Sequence, residues 1–303
     1  MTSENECDRR PLNLVWNRRT LDFVPESYFI ERVLLGELGR PVRVIAVEDM
    51  TQIPFLDDVL IVSMQTEFAA YLAQARRRGQ RRLGLFHLGD EQGGADKAFY
   101  SDADLVLRNY WFEAVVRSPK VVWVPNGYAI GVGPAAPSTM LKASRRPDAG
   151  FFSGALGMRL LSHERREMQQ AAQTLAGFNL RFTAKARDRL GASAYAAHLG
   201  SARFALVPAG NSPETIRLYD ALEMGTIPIM LRSPFVGAPD ALNGPPFLLL
   251  NQWSELGEVY APFANAPSRV LDALQNDVMQ WWRQFKRAQQ VKMRDLIDRL
   301  TQD

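Results

Sequence analysis

The chain of 303 residues has one cysteine, Cys7. A single thiol excludes an intramolecular disulfide and a zinc site built from thiolates, and it fits a reducing compartment. Histidine is scarce as well, with three residues in all, and His163 and His198 fall in helical patterns far from any second ligand. No run approaches the roughly 18 apolar residues that a membrane-spanning helix needs. The opening residues, MTSENECDRRP, are polar and charged with no apolar core, so no secretory signal or anchor is expected and a cytoplasmic location is. An excess of one sign of charge is also missing, because 36 Lys and Arg against 33 Asp and Glu leave a formal +3. That surplus does not argue for a nucleic-acid partner. Only the run Arg76-Arg77-Arg78 with Arg81-Arg82 forms a local basic patch. A solvated helix end is its simpler reading, and peripheral contact with anionic membrane lipid is the other. No repeat of solenoid or propeller period is present.

What is present is a globular composition, 47% hydrophobic and 23% charged, on a chain long enough for two domains that each bury a core. Short apolar runs alternate with helical patterns in the first half. Strands are predicted at Leu12–Trp16, Val42–Val47, Val59–Ser63, Leu83–Leu88, Leu105–Arg108 and Val121–Val124, with helices at Pro25–Leu38 and Glu67–Arg78. Strands spaced by helices specify an α/β architecture with a parallel sheet covered on both faces. The stretch after Val124, PNGYAIGVGPAAPSTMLKASRRPDAG, is dense in Pro, Gly and small residues and reads as a linker. The alternation then restarts with strands at Gly150–Ser153, Leu180–Thr183, Phe204–Val207, Ile227–Leu231 and Phe247–Leu250, and helices at His163–Leu175 and Ser193–Leu199. Residues 266–300 read as amphipathic helix. The expected division is a first domain at 1–130, a linker at 131–150, a second domain at 151–265 and closing helices at 266–303.

The segment FALVPAGNSPETIRLYDALEMGTIPIML, Phe204 to Leu231, runs from an apolar strand through a polar loop into a helix, expected to open near Pro213 and Glu214, and on to a second strand. Such an order puts loop N–H groups and a helix N-terminus where an anion can sit. Thr215, Arg217, Leu218, Tyr219, Asp220, Ala221, Gly225, Ile227, Pro228 and Ile229 form a pattern that resembles the exostosin-like glycosyltransferases, and Pro245-Pro246-Phe247 with Trp253-Ser254 echoes that family downstream. The resemblance covers the second half and implies a GT-B architecture, two Rossmann-like domains with parallel sheets facing across a cleft and a terminal helix crossing back to the first. It also implies a glycosyltransferase, inverting and metal-independent, acting in polysaccharide biosynthesis with a UDP-sugar as co-substrate and a glycan or lipid-linked glycan as acceptor. Two other classes stay open. One is a nucleotide-sugar-binding or scaffold protein without catalysis; the other is a nucleic-acid or membrane-surface binder led by the arginine run.

Arg217 is the first candidate residue, because a fixed cation near a helix N-terminus neutralises a diphosphate bidentately and stabilises it as a leaving group. An ion pair with Asp220 is the structural alternative. Asp220 or Glu223 would accept hydrogen bonds from ribose hydroxyls, with plain solvent exposure as the alternative for Glu223. Asn211, Ser212 and Thr215 carry amide and hydroxyl groups that reach phosphate oxygens, or cap the helix, Ser212 with Pro213 at its first position. The strand-to-glycine turn Phe151-Phe152-Ser153-Gly154-Ala155-Leu156-Gly157-Met158-Arg159 makes Ser153, Gly154 and Arg159 further donor-side candidates by the resemblance. In the first half His87 ends a strand and Asp90 and Glu91 follow it, at the strand edge where ligands of parallel sheets gather. Any of the three serves as the base that takes the acceptor proton. Asp102-x-Asp104 has the spacing of a metal-binding pair but reads as a turn, and Trp281 and Trp282 read as packing.

Overall fold

The computed structural model describes residues 10–64, 68–156, 162–184 and 188–302. The chain divides into two compact units, the first made of residues 1–125 and 286–303, the second of 126–285.

The first unit is built on six parallel strands: β1 (Leu12–Asn17), β2 (Val42–Val47), β3 (Val59–Ser63), β4 (Leu83–His87), β5 (Leu105–Arg108) and β6 (Val121–Trp123), in the order β2-β1-β3-β4-β5-β6. β1, β3, β4 and β5 are buried along their whole length. This is why they read as continuous apolar runs, whereas the edge strand β2 is only partly covered. Helix α1 (Arg18–Phe23) follows β1, opened by the Asn17 side chain, which accepts from the Thr20 N–H at 3.0 Å. Helix α2 (Phe68–Arg77) buries Phe68, Tyr71, Leu72 and Ala75, the i, i+3, i+4, i+7 stripe of an amphipathic helix. They pack on Val15, Ile61 and Leu85 of the sheet. A four-residue helix α3 (Glu113–Val116) precedes β6.

The helix expected at Pro25–Leu38 is a π-helix over Phe29–Leu34. Of its buried residues Phe29, Ile30 and Leu34, the last two keep the i, i+4 spacing of an α-helix; the π turn shows in the backbone, where the Leu35 N–H donates to the Ile30 carbonyl at 3.0 Å.

The second unit carries β7 (Asp148–Ala155), α4 (Ser162–Ala172), β8 (Phe178–Thr183), α5 (Ala192–Ser201), β9 (Ala202–Leu206), α6 (Ile216–Glu223), β10 (Ile227–Leu231), α7 (Pro234–Gly237), β11 (Leu248–Leu250) and α8 (Leu256–Ala264). Its five parallel strands follow the order β11-β10-β9-β7-β8. Arg146, 1% exposed, stitches this unit together: it donates to the carbonyls of Leu141, Ala202 and Met224 at 2.9–3.1 Å and to Thr226 Oγ1 at 2.7 Å. Burial pulls its pKa down to about 10.

The chain from Asn126 belongs to the second unit, and its hydrogen bonds explain why it is no free linker. The backbone N–H groups of Asn126, Ala129 and Ala135 donate to the carboxylates of Glu214, Asp220 and Glu223 at 3.0, 2.8 and 3.1 Å. These are charge-assisted bonds to buried acceptors. Residues 266–300, read as one helical stretch, hold helix α9 (Ser268–Thr301), preceded by α8, which was not expected and carries Pro262 inside it. The part of α9 up to Phe285 packs in the second unit, where Trp282 Nε1 donates to Glu223 at 2.8 Å. The part from Lys286 packs in the first, where Lys292 Nζ donates to the Trp123 carbonyl at 2.8 Å. No helix among the described residues is long and apolar enough to cross a membrane.

Candidate functional site

Both sheets reverse their strand order once, between β1 and β3 in the first unit and between β7 and β9 in the second. In open parallel sheets ligands bind outside the carboxyl ends of the strands at such a point. In the second unit that edge is formed by the end of β7, the loop after β9 and the start of α6, and it gathers Ser153, Gly154, Asn211, Ser212, Thr215 and Arg217.

Arg217 is half-buried and lies against the end of β7. Its Nε donates to the Ser153 carbonyl at 3.0 Å, and its guanidinium carbon stands 5.5 Å from the centre of the Phe152 ring. Gly154 makes the room: a Cβ there would stand 2.4 Å from Arg217 Nη2. The fork is thus fixed at Nε, while Nη1 and Nη2 make no hydrogen bond to a described residue. A guanidinium pinned at Nε, with Nη2 lodged against Gly154 and both terminal nitrogens making no hydrogen bond to a described residue, suits a diphosphate. Its electrostatic neighbour is Asp220.

Helix α6 starts three residues later than the expected Pro213. Thr215 takes an extended conformation, φ −134 and ψ 144, as its N-cap and makes no side-chain capping bond. Ser212 Oγ instead accepts from the Glu214 N–H at 3.3 Å, within the preceding turn. Glu214 is drawn away from the helix start, accepting from Asn126 N–H and from the Tyr219 hydroxyl. The first N–H groups of α6 therefore receive no side-chain cap, which leaves an anion-friendly helix end beside Arg217.

Asp220 and Glu223 are buried, each 3% exposed. Besides the Ala129 N–H, burial dominates the chemistry of Asp220 and pushes its pKa up to about 7, against the opposing pull of that hydrogen bond and of Arg217. Glu223 spends one oxygen on Ala135 and the other on Trp282. Arg159 lies outside the described residues.

Two residues that the sequence reading passed over frame this edge. Arg165, in the first turn of α4, donates to the Ala155 carbonyl at 2.7 Å and to the Ala209 carbonyl at 3.1 Å, tying the end of β7 to the loop after β9. Glu164 accepts from the Ala209 N–H at 2.9 Å and from Trp253 Nε1 at 3.1 Å. Their signal in the sequence was slight. Both sit in the helix that follows the Gly154 turn, yet Arg166 and Glu167 beside them carry the same charges.

In the first unit His87, Asp90 and Glu91 share the carboxyl end of β4. His87 is 2% exposed, with Nδ1 2.7 Å from the Tyr100 hydroxyl and the rings of Phe68, Phe99 and Tyr100 set edge-on around it. Burial first, and then the Arg108 charge, draw its pKa down to about 4. The Asp90 carboxylate accepts from the Ala95 N–H at 3.0 Å and from Arg108 Nη1 at 3.2 Å, with Lys97 Nζ at 3.8 Å. Its pKa lies below the usual value: burial raises it, and the Ala95 hydrogen bond with the cations outweighs that. Arg108, 1% exposed, ends β5 directly across from His87 in the sheet. Glu91 is half-exposed. Asp104 accepts from the Leu83 N–H at 2.9 Å and pairs with Arg76 at 2.5 Å.

Comparison with known proteins adds two kinds of likeness. The family model described as the RXYLT1 C-terminal domain, a xylosyltransferase-type glycosyltransferase domain, matches residues 167–301, a little under half of the chain. It contains Arg217 and the whole of α6. Among solved structures, a sucrose-phosphate synthase from Thermosynechococcus elongatus aligns with a TM-score of 0.54 at 11% identity, covering 96% of this chain and 99% of that one. The DNA-modifying enzyme β-glucosyltransferase, whose substrate is uridine diphosphoglucose, aligns at 0.53 and 11% identity over 95% and 100% of the two chains. An O-GlcNAc transferase from Thermobaculum terrenum aligns at 0.50 and 13% identity over 98% and 68%. The fold is GT-B. A search of curated proteins by sequence returns no match. The family model that matches is thus a xylosyltransferase-type one, and the narrower exostosin-like assignment does not follow from it.

Proposed function

We propose that this GT-B chain is a glycosyltransferase whose nucleotide-diphospho-sugar donor lies at the carboxyl edge of the second unit's sheet. Arg217 is the observation that carries the reading. It is anchored through Nε, given room by Gly154, and keeps two further nitrogens without a hydrogen bond to a described residue, beside an uncapped helix start. Arg217 binds the diphosphate and stabilises it as it leaves; Arg165 holds the two loops in register; Ser212, Thr215 and Asn211 supply the remaining polar contacts. The exostosin-like pattern of Thr215 to Ile229 favours UDP as the nucleotide and inversion as the outcome, with a glycan or lipid-linked glycan hydroxyl as acceptor. Asp220 and Glu223 act by holding the chain at Ala129 and Ala135 rather than by meeting the ribose, since both are buried and accept from those N–H groups.

For the base we favour Glu91 over His87 and Asp90. His87 is 2% exposed with Nδ1 engaged by the Tyr100 hydroxyl, and Asp90 is paired with Arg108, whereas Glu91 is half-exposed and open to an acceptor. The chemistry is proposed to need no metal, because Asp104 is committed to Arg76 and the Leu83 N–H. The test is a thermal-shift screen with UDP, GDP, CDP and their sugars, followed by transfer assays with Arg217→Ala and Glu91→Gln. UDP is expected to raise the melting temperature of the parent by mass action. Glu91→Gln is expected to lower turnover by about 10²–10⁴ with UDP affinity intact. Binding without transfer is the second reading, favoured by the commitment of both His87 and Asp90 to neighbours inside the first unit; UDP-sugar binding with no turnover toward any acceptor would establish it.

A further inference from the structure

We propose that the first unit carries a second ligand site, a groove for a phosphate-rich group on the amino edge of its sheet, the edge opposite the one where His87 ends β4. The groove has a volume of about 630 Å³ and is walled by Arg76, Arg81, Arg82, Lys120 and Arg299, with Asp104 as the acidic residue of its lining. These cations come from separate parts of the chain. Arg76 sits in the last turn of α2, Arg81 and Arg82 precede β4, Lys120 precedes β6, and Arg299 lies in the last turn of α9. A solvated helix end explains Arg76 to Arg78, but it does not explain why four segments bring their cations to one concave surface.

Two further observations favour a built site. Part of the charge is preorganised: Arg76 donates to the carbonyls of Asp102 at 2.7 Å and Gln80 at 3.1 Å, and Lys120 Nζ to those of Ser101 and Ala103 at 3.2 Å each. Arg82 is pinned by Asp58 at 3.1 Å. The rest is left over: Arg81 and Arg299 are exposed and have no hydrogen-bond or ion-pair partner among the described residues. The floor is apolar, formed by Leu105, Leu296 and Leu300, each under 10% exposed, and Leu300 packs where a Cβ on Gly84 would meet it at 3.0 Å. Water is therefore partly excluded beneath the guanidinium forks, which strengthens their hold on an anion. Forks at this density match the oxygens of a di- or triphosphate or of a phosphorylated headgroup, and the volume exceeds what one phosphate fills.

The test uses the full chain with Arg217→Ala in the background, so that the donor site proposed above is silenced. Tripolyphosphate is titrated by calorimetry at two salt concentrations, and cosedimentation is measured with phosphatidylcholine vesicles with and without phosphatidylglycerol. Adding Arg81→Ala and Arg299→Ala is expected to weaken tripolyphosphate about tenfold or more and to flatten its salt dependence. Both side chains are exposed and make no hydrogen bond or ion pair to a described residue, so circular dichroism should stay the same. Capture by the anionic vesicles, reversed by tripolyphosphate and lost in the variant, identifies a lipid headgroup as the source; tripolyphosphate binding without vesicle capture identifies a free phosphorylated ligand. Equal binding of both probes by parent and variant, or binding of neither by the parent, overturns the proposal.

Discussion

Gly154→Ala separates the position of Arg217 from its charge. The new Cβ would stand 2.4 Å from Arg217 Nη2 and 3.2 Å from both its Cζ and the Phe152 ring. The backbone at Gly154 lies outside the left-handed region, so alanine fits the strand, and the nearest clash is with the far end of a flexible side chain. The fold should survive while the guanidinium swings out of its seat on the Ser153 carbonyl. If Arg217 grips the donor diphosphate, displacing it costs what a hydrogen bond to a charged group is worth, about 1.5–3 kcal/mol. That is about 10- to 150-fold in the UDP dissociation constant. Calorimetric titration of UDP into the parent, Gly154→Ala, Arg217→Ala and the double variant forms a closed cycle. The two single variants should lose similar affinity and the double variant no more than either. Additive losses, or a Gly154→Ala protein that binds UDP as the parent does, would refute the reasoning.

Acid should weaken the first unit. His87 has a folded pKa of about 4 against 6.5, so its contribution is complete above pH 6.5 and is lost as pH falls toward 4, up to about 3 kcal/mol. Asp220 acts with the opposite sign in the second unit: its raised pKa of about 7 gives stability that is present below its unfolded value and lost as pH rises through 7. Hydrogen exchange followed region by region between pH 4 and 7 should show β4 gaining and α6 losing protection as pH rises; parallel changes in both would contradict this. Arg146→Met should destabilise the second unit by about 3 kcal/mol or more, because the carbonyls of Leu141, Ala202 and Met224 lose their donor. Urea unfolding measures it, and a loss under about 1 kcal/mol would mean that water replaces those bonds. Turnover is expected to continue in excess EDTA; its loss, with Mn²⁺ restoring it, would make Asp102 and Asp104 metal ligands rather than turn residues.

The strands were legible because both faces of a parallel sheet are covered: runs such as VLIVS and IPIML are buried throughout or nearly so, and such runs need no partner sequence to be read. The loop and helix start that carry Arg217 were legible too, since they stand between two such runs. What escaped reading depends on tertiary hydrogen bonds that have no local signature. Glu214, Asp220 and Glu223 look like the charged face of a helix, yet all three are turned inward onto N–H groups some 90 residues away in sequence. The same bonds convert a Pro- and Gly-rich stretch with every mark of a linker into part of the second unit. Glu164 and Arg165 were hidden among neighbours of identical charge, and the π-helical turn at Phe29 was masked because its apolar spacing lies close to that of an α-helix.

The central claim is the place of the donor, and hydrogen exchange of the protein with and without saturating UDP tests it most directly. Protection is expected in the peptides that span Ser153 to Ala155 and Val207 to Arg217, with Arg217→Ala removing it at the same UDP concentration. UDP that binds while these peptides exchange unchanged, or whose strongest protection falls on the first unit at His87 to Gly94, would contradict the account.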